Sequence, residues 1–268
     1  MKKPSPRLLL LRLLTVADNH TLNVSEAILA GSVFGMTENS IRVTMARLTQ
    51  TELAEAIAPA TYRLGPKARK LGDDVALWHT FDRKTIKSDG SWITVATSGL
   101  PRSDRKILRA RDRALSLLGF RELDKGLYIR PNNLQGGIDG VRKRLLNLGL
   151  GEEAIVFKAC DFDDKRQKKA LLLWSDMQLA KHYEEMSYQL NHWLEHKEGL
   201  SADVALREVF MLGDAGIRSV IFDPLLPAPL VDEAARQQYF NTVRRFNDEG
   251  RRLWLAFFDA NLAKIDET

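Results

Sequence analysis

Apolar residues recur from Pro6 to Ala17 in a pattern that suits a buried first helix, and Asp18-Asn19-His20 reads as its stop. A second helical segment is predicted from Ser25, taken as N-cap with Glu26 in the first turn, to Phe34, where Gly35 ends it. Thr37 then opens a third helix that the pattern carries to Leu53. Its positions Ile41, Met45 and Leu48 form one apolar stripe, while Asn39, Arg42, Val43, Ala46 and Arg47 lie on the opposite side. Three helices this close, with a Gly-containing turn of about three residues before the last, make a helix-turn-helix pattern. Two short extended pieces follow, Ala54 to Ala58 and Thr61 to Leu64, broken at Pro59-Ala60 as a wing would be. Pro66 is placed to start a further helix with Leu71, Val75 and Trp78 on its apolar side.

A polar stretch from Asp82 to Gly90 reads as a linker. Beyond it the periodicity alternates: strand (Trp92 to Thr97), helix (Ser103 to Leu118), strand (Phe120 to Leu123), strand (Leu127 to Arg130), helix (Ile138 to Leu148), strand (Ala154 to Ala159). Gly126 closes the turn between the middle strands. This β-α-β-β-α-β order is the split βαβ of ferredoxin-like domains. The remainder reads as helices over 164–198, 201–221 and 232–260, interrupted by Gly199 and by Pro224, Pro227 and Pro229. The expected fold class is α+β with three domains: an N-terminal winged helix-turn-helix (1–80), a ferredoxin-like centre (90–163) and an all-helical C-terminal domain (164–268).

Composition adds limits. With 44% hydrophobic and 28% charged residues among 268, the chain is neither disordered, collagenous nor a disulfide framework. Cys160 stands alone, which excludes an intrachain disulfide and a multi-cysteine metal site. The apolar run Leu8 to Leu11 is bracketed by Arg7 and Arg12 and fits neither a signal peptide nor a membrane span, so a cytoplasmic location with no membrane partner is expected. The formal charge of +5 is uneven: residues 1–160 carry +10 and residues 161–268 carry −5. Such asymmetry points the front of the chain at a polyanion.

The third helix supplies donors suited to duplex DNA. Arg42 and Arg47 can pair bidentately with guanine and Asn39 with adenine, each good pair being worth about 1–3 kcal/mol of discrimination, and Val43 lies on the same DNA-binding face. Thr37, Ser40 and Thr44 flank that face within reach of phosphates, and Tyr62, Arg63, Lys67 and Arg69 add wing and backbone contacts. The competing interpretation is a solvated amphipathic helix with surface arginines.

The run Phe34-Gly35-Met36-Thr37-Glu38-Asn39-Ser40-Ile41-Arg42-Val43-Thr44-Met45-Ala46-Arg47-Leu48, followed by Tyr62-Arg63-Leu64-Gly65 and the basic Lys67, Arg69 and Lys70, resembles the PaaX-like transcriptional regulators, the phenylacetic acid degradation repressors. Gly90-Ser91-Trp92-Ile93, Arg113 with Gly119-Phe120, and Gly126-Leu127-Tyr128-Ile129-Arg130-Pro131 are similar to that family's central domain, itself related to the ferredoxin-like fold of CRISPR-associated Cas2 proteins. The resemblance implies a homodimeric repressor on a roughly palindromic operator, released by a small effector such as an acyl-CoA, phenylacetyl-CoA in the phenylacetate repressors, with no resident cofactor. The chain departs from the family in Ala56-Ile57-Ala58-Pro59-Ala60, which lacks the usual basic wing loop. Activation in place of repression, or a non-CoA effector, is equally compatible with the residues.

Other constellations are weaker. Gly136-Gly137-x-x-Gly140 opens a helix ahead of Arg142, Lys143 and Arg144, a conceivable anchor for a CoA phosphate. Trp92, Trp174, Tyr183 and Trp193 are candidate effector-pocket aromatics, against the commoner reading of core residues. His192-Trp193-Leu194-Glu195-His196 matches the H-x-x-E-H zinc string, so a metal-dependent hydrolase using His192, Glu195 and His196 is the alternative of another class. It lacks a third ligand, His182 lying nearly three turns away, and a solvated helix face explains it better. Asp161, Asp163 and Asp164 suit a helix start better than a cation site. The first strand of the centre ends in Val95-Ala96-Thr97-Ser98 without the Asp that Cas2-type nucleases carry there, so nuclease chemistry is not expected, and no enzymatic activity is assigned.

Overall fold

In the computed structural model, residues 3–16, 21–68, 78–101 and 103–266 are described. The chain has a mixed α+β architecture with two small antiparallel sheets and a helical C-terminal region. Packing divides it into two units, the first made of Met1–His79, Gln189–Ile217 and Thr242–Thr268, the second of Thr80–Tyr188 and Arg218–Asn241. Residues 164–268, expected as one helical domain, are thus shared between the two units. The physical reason is that long helices bury different parts of their length in different cores, which local periodicity cannot reveal.

In the first unit, α1 (Pro6–Val16), β1 (Thr21–Asn23), α2 (Val24–Val33), α3 (Glu38–Gln50), β2 (Ala54–Ala58) and β3 (Thr61–Leu64) follow one another. The strand β1 was not foreseen, because three residues are too few to show an alternation. It pairs antiparallel with β3, Leu22 opposite Tyr62, to give the order β1-β3-β2. The N-cap of α2 is Asn23 rather than Ser25. Its side chain accepts from Ser25 N at 2.9 Å while Glu26 accepts from Asn23 N at 2.8 Å, a capping box that satisfies helix-end donors and is worth about 1 kcal/mol. Gly31 lets α2 meet α3 closely, since a Cβ there would stand 2.8 Å from Ile41 Cγ1. Leu9, Leu10 and Leu14 of α1, Ala27 and Ala30 of α2, and Ile41, Met45 and Leu48 of α3 form the core, with Leu206 and the partly buried Phe210 and Trp254 packed on it.

In the second unit the strands β4 (Trp92–Ala96), β5 (Arg121–Asp124), β6 (Leu127–Pro131) and β7 (Ile155–Ala159) are joined by α4 (Arg105–Leu117) and α5 (Gly137–Asn147). The sheet order is β5-β6-β4-β7, every neighbouring pair antiparallel. Central β4 is almost wholly buried, whereas edge strand β7 exposes Ile155 and Phe157. Arg130, on β6, is fully buried. Its guanidinium donates to the carbonyls of Leu118, Pro131 and Pro224 and to Asn133 Oδ1, and burial lowers its pKa to about 9.

The C-terminal region comprises α6 (Asp164–Leu172), α7 (Leu179–His196), α8 (Ala202–Ile221) and α9 (Glu233–Asp266). The single helix expected over 164–198 is broken after α6 by the 3-10 turn Ser175–Met177 and by Gln178, which takes a positive φ of 44°. No helix among the described residues is long and apolar enough to cross a membrane.

Candidate nucleic-acid interface

Thr37 is the N-cap of α3, its hydroxyl accepting from Ser40 N at 3.2 Å, and Glu38 in the first turn complements the helix dipole. With the cap fixed there, the 3.6-residue period settles which side chains face the core. Ile41, Met45 and Leu48 are buried, and Asn39, Arg42, Val43, Ala46 and Arg47 are exposed along one outward face. Ser40 and Thr44 lie at its half-buried margin, where the Thr44 hydroxyl donates to the Ser40 carbonyl at 2.7 Å. That bond commits the Thr44 proton, so any contact with an anion would first have to break it. Arg42 is also engaged: its Nε lies 2.7 Å from Glu38 Oε1, both side chains being more than half exposed.

Next to α3, β2 and β3 form a two-stranded hairpin around Pro59-Ala60, with a register shift between Ala56 and Ala58. Tyr62 and Arg63 are half-buried on β3, and Arg63 pairs with Glu55 across the hairpin at 3.1 Å, which raises the guanidinium pKa. Lys67 pairs with Glu52 at 3.0 Å, again with both partners exposed. Arg69 lies outside the described residues. Three of the expected basic contacts therefore already carry acidic neighbours. Exposed pairs of this kind are worth about 0–1 kcal/mol and exchange readily for a denser anion.

The expected effector residues are not gathered into one site. Trp92 and Trp174 are buried and stacked, centroids 6.1 Å apart, and each indole N–H is satisfied, by Gln167 and by the Gly119 carbonyl respectively. Tyr183 is buried and donates to Asp223 at 2.6 Å. Burial, reinforced by the Asp223 charge, pushes the Tyr183 hydroxyl well above its usual range, and burial likewise raises the Asp223 carboxyl. Arg142 of α5 pairs with Asp139 and donates to the Val156 carbonyl, while Lys143 is exposed and Arg144 half-buried on the same helix. None of these six residues lines the cavity bounded by Phe246 and Trp254 or the one bounded by His182 and Phe222. The aromatics serve packing because an indole or phenol with its polar atom satisfied is well suited to a core.

His192 and His196 lie side by side on α7 with tilted rings, centroids 4.2 Å apart, and His196 Nδ1 bonds the His192 carbonyl at 2.8 Å. That bond ties up one ring nitrogen, and Trp193 between them packs on Phe246. Among the described residues no group of three or more His, Cys, Asp or Glu is placed to hold a metal ion.

Sequence reasoning missed a cavity of about 770 Å³ within the first unit. Its walls come from three distant stretches, so no local motif could signal it.

No family model and no curated protein matches the chain. Among solved structures it is similar to the uncharacterized protein Rv0674 from Mycobacterium tuberculosis, with 19% identity, a TM-score of 0.59, and coverage of 93% of this chain and 98% of that one. At that identity the likeness speaks for the fold alone, over nearly the whole of both chains.

Proposed function

We propose that the protein is a sequence-specific DNA-binding transcriptional regulator whose α3 enters the major groove. The observation that carries this reading is the outward face of α3, where Asn39, Arg42 and Arg47 stand exposed around the small Ala46 while the opposite stripe is buried. The hairpin β2-β3 takes the part of a wing, so that on this reading the winged helix-turn-helix module is the one expected over 1–80. The strand order and antiparallel pairing of the second unit fit a ferredoxin-like domain. The +10 of residues 1–160 supports a polyanionic partner.

The resemblance to the PaaX-like regulators extends the proposal to a homodimer that represses a catabolic operon from a roughly palindromic operator and is released by a small effector, an acyl-CoA in that family. Selection from a pool of random duplexes, followed by gel-shift titration against a scrambled control, tests the reading. An enriched motif that Arg42→Ala erases is expected; equal affinity of the unaltered protein for every duplex would sink it.

A further inference from the structure

The geometry points to a binding site for a compact, uncharged aromatic alcohol in the cavity of the first unit. The cavity holds about 770 Å³, within the range of small-molecule sites. Its apolar wall comes largely from α8 and α9: Val209 and Phe246 are buried there, and Trp254 and Phe258 add partly buried rings. Flat ring systems pack on such walls with a gain beyond that of plain area burial.

Gly213 of α8 and Gly250 of α9 both line the cavity in mid-helix, where glycine is markedly less favourable than alanine. Packing explains Gly250, since a Cβ there would stand 2.9 Å from Val209 Cγ2. It does not explain Gly213. Its φ is not positive, and the nearest atom that a Cβ would meet is Phe246 Cε1 at 3.7 Å, an ordinary contact. Alanine would fit and strengthen the helix, so what glycine provides at 213 is open volume beside the Phe246 ring.

The formal charges of the lining cancel, two guanidiniums (Arg12 and Arg251) against two carboxylates (Glu26 and Asp214). Arg12 and Asp214 pair with each other, Glu26 accepts from Asn23 N at the dipole-favoured start of α2, and Arg251 has a partner of its own. Partial burial lowers the His79 pKa, which keeps that imidazole uncharged near pH 7. An ion of either sign would lose its hydration here without meeting an unmatched counter-charge. The polar group left for a ligand is the half-buried amide of Asn247, which makes no side-chain hydrogen bond among the described residues. An amide offers a donor and an acceptor together, and a hydroxyl can use both.

This site stands apart from the DNA-binding proposal, and its test contains no DNA. The full chain is titrated by calorimetry with 2-naphthylmethanol, 2-naphthoate, 2-naphthylmethylammonium and 2-ethylnaphthalene, four probes alike in ring and different in head group. Saturable binding of the alcohol is expected, tighter than either ion by roughly tenfold. Gly213→Leu, which puts a side chain into the open volume, is expected to weaken the alcohol by about tenfold or more with the helical content unchanged. Asn247→Leu is expected to lower the ratio of alcohol to hydrocarbon affinity by roughly fivefold without weakening the hydrocarbon. Absence of saturable alcohol binding, an ion that binds as tightly as the alcohol, an unchanged affinity in a folded Gly213→Leu variant, or an unchanged ratio in Asn247→Leu would overturn the assignment.

Discussion

Asn133 Oδ1 accepts from the Arg130 guanidinium at 2.8 Å while its Nδ2 donates to the Leu225 carbonyl at 2.6 Å, so this amide relays a fully buried cation to the backbone that follows α8. The oxygens that meet the guanidinium are the carbonyls of Leu118, Pro131 and Pro224 and the amide of Asn133, all neutral dipoles. Such a cation is tolerated only because nearly every N–H is used.

Replacing Arg130 by Ala would strand several buried carbonyls at once. A loss of about 3–5 kcal/mol is expected, within the range for breaking a buried charged network, and urea denaturation of the second unit's signal would measure it. Asn133→Leu is expected to cost nearly as much, because it leaves both the guanidinium and the Leu225 carbonyl short of a partner. If the two residues act as one network, the double variant Arg130→Ala with Asn133→Leu would lose less than the sum of the singles.

Gly65 closes β3 against the end of α3. Its N–H donates to the Leu53 carbonyl at 2.9 Å, and a Cβ at this position would stand 2.3 Å from the Glu52 carbonyl oxygen. The obstacle is backbone, which cannot swing aside as a side chain would. Gly65→Ala is expected to destabilise the protein by about 2 kcal/mol or more, read as a lowered thermal midpoint. Gly65→Ser should behave in the same way, since the clash begins at Cβ.

Glu249 of α9 sits between Arg252 and Lys197, whose hydrogen bonds and charges lower its pKa to about 2. The folded-state value lies below the ordinary 4.5, so the group stabilises the fold above pH 4.5 and that contribution is lost as pH falls toward 2. With Arg252 two-thirds exposed, solvent screening leaves about 1–2 kcal/mol of the effect. Glu249→Gln is expected to be less stable than the parent at pH 7 by that amount. The two should converge between pH 4.5 and pH 2 in chemical-denaturation curves, and a constant gap across that range would contradict the assignment.

How much could be read in advance depends on range along the chain. The stripe Ile41, Met45, Leu48 and the hairpin at Pro59-Ala60 are local, set by period and turn chemistry, and they stand where the pattern put them. The cap of α2 shifted by two residues because Asn23, Ser25 and Glu26 all favour helix starts, and the choice was made by the reciprocal bonds of Asn23 and Glu26. Arg130 reads as a surface charge in any hydropathy pattern, and only the distant loop at Pro224 makes it a core residue. Trp92 and Trp174 illustrate the same limit. Their stacking is a tertiary fact, and residue type alone could not distinguish a pocket wall from a core.

The pair Arg42–Glu38 bears directly on the proposed DNA contact. In the unbound protein the guanidinium lies on its own helix's carboxylate, so meeting a guanine requires exchanging one partner for another and also brings Glu38 near the phosphates. Glu38→Gln removes both costs, and a two- to fivefold gain in affinity is expected for specific and scrambled duplexes alike, consistent with a surface charge pair worth about 0–1 kcal/mol. Arg42→Ala should instead lose about 1–3 kcal/mol on the specific duplex and little on the scrambled one. Lys67→Ala should weaken both and reduce the slope of log affinity against log salt by about 0.9, as expected when one phosphate contact is lost. Gel-shift titrations of the three variants at several salt concentrations separate the roles. If Arg42→Ala behaves like Lys67→Ala, the arginine touches backbone rather than bases, and sequence reading must be assigned to Asn39 and Arg47.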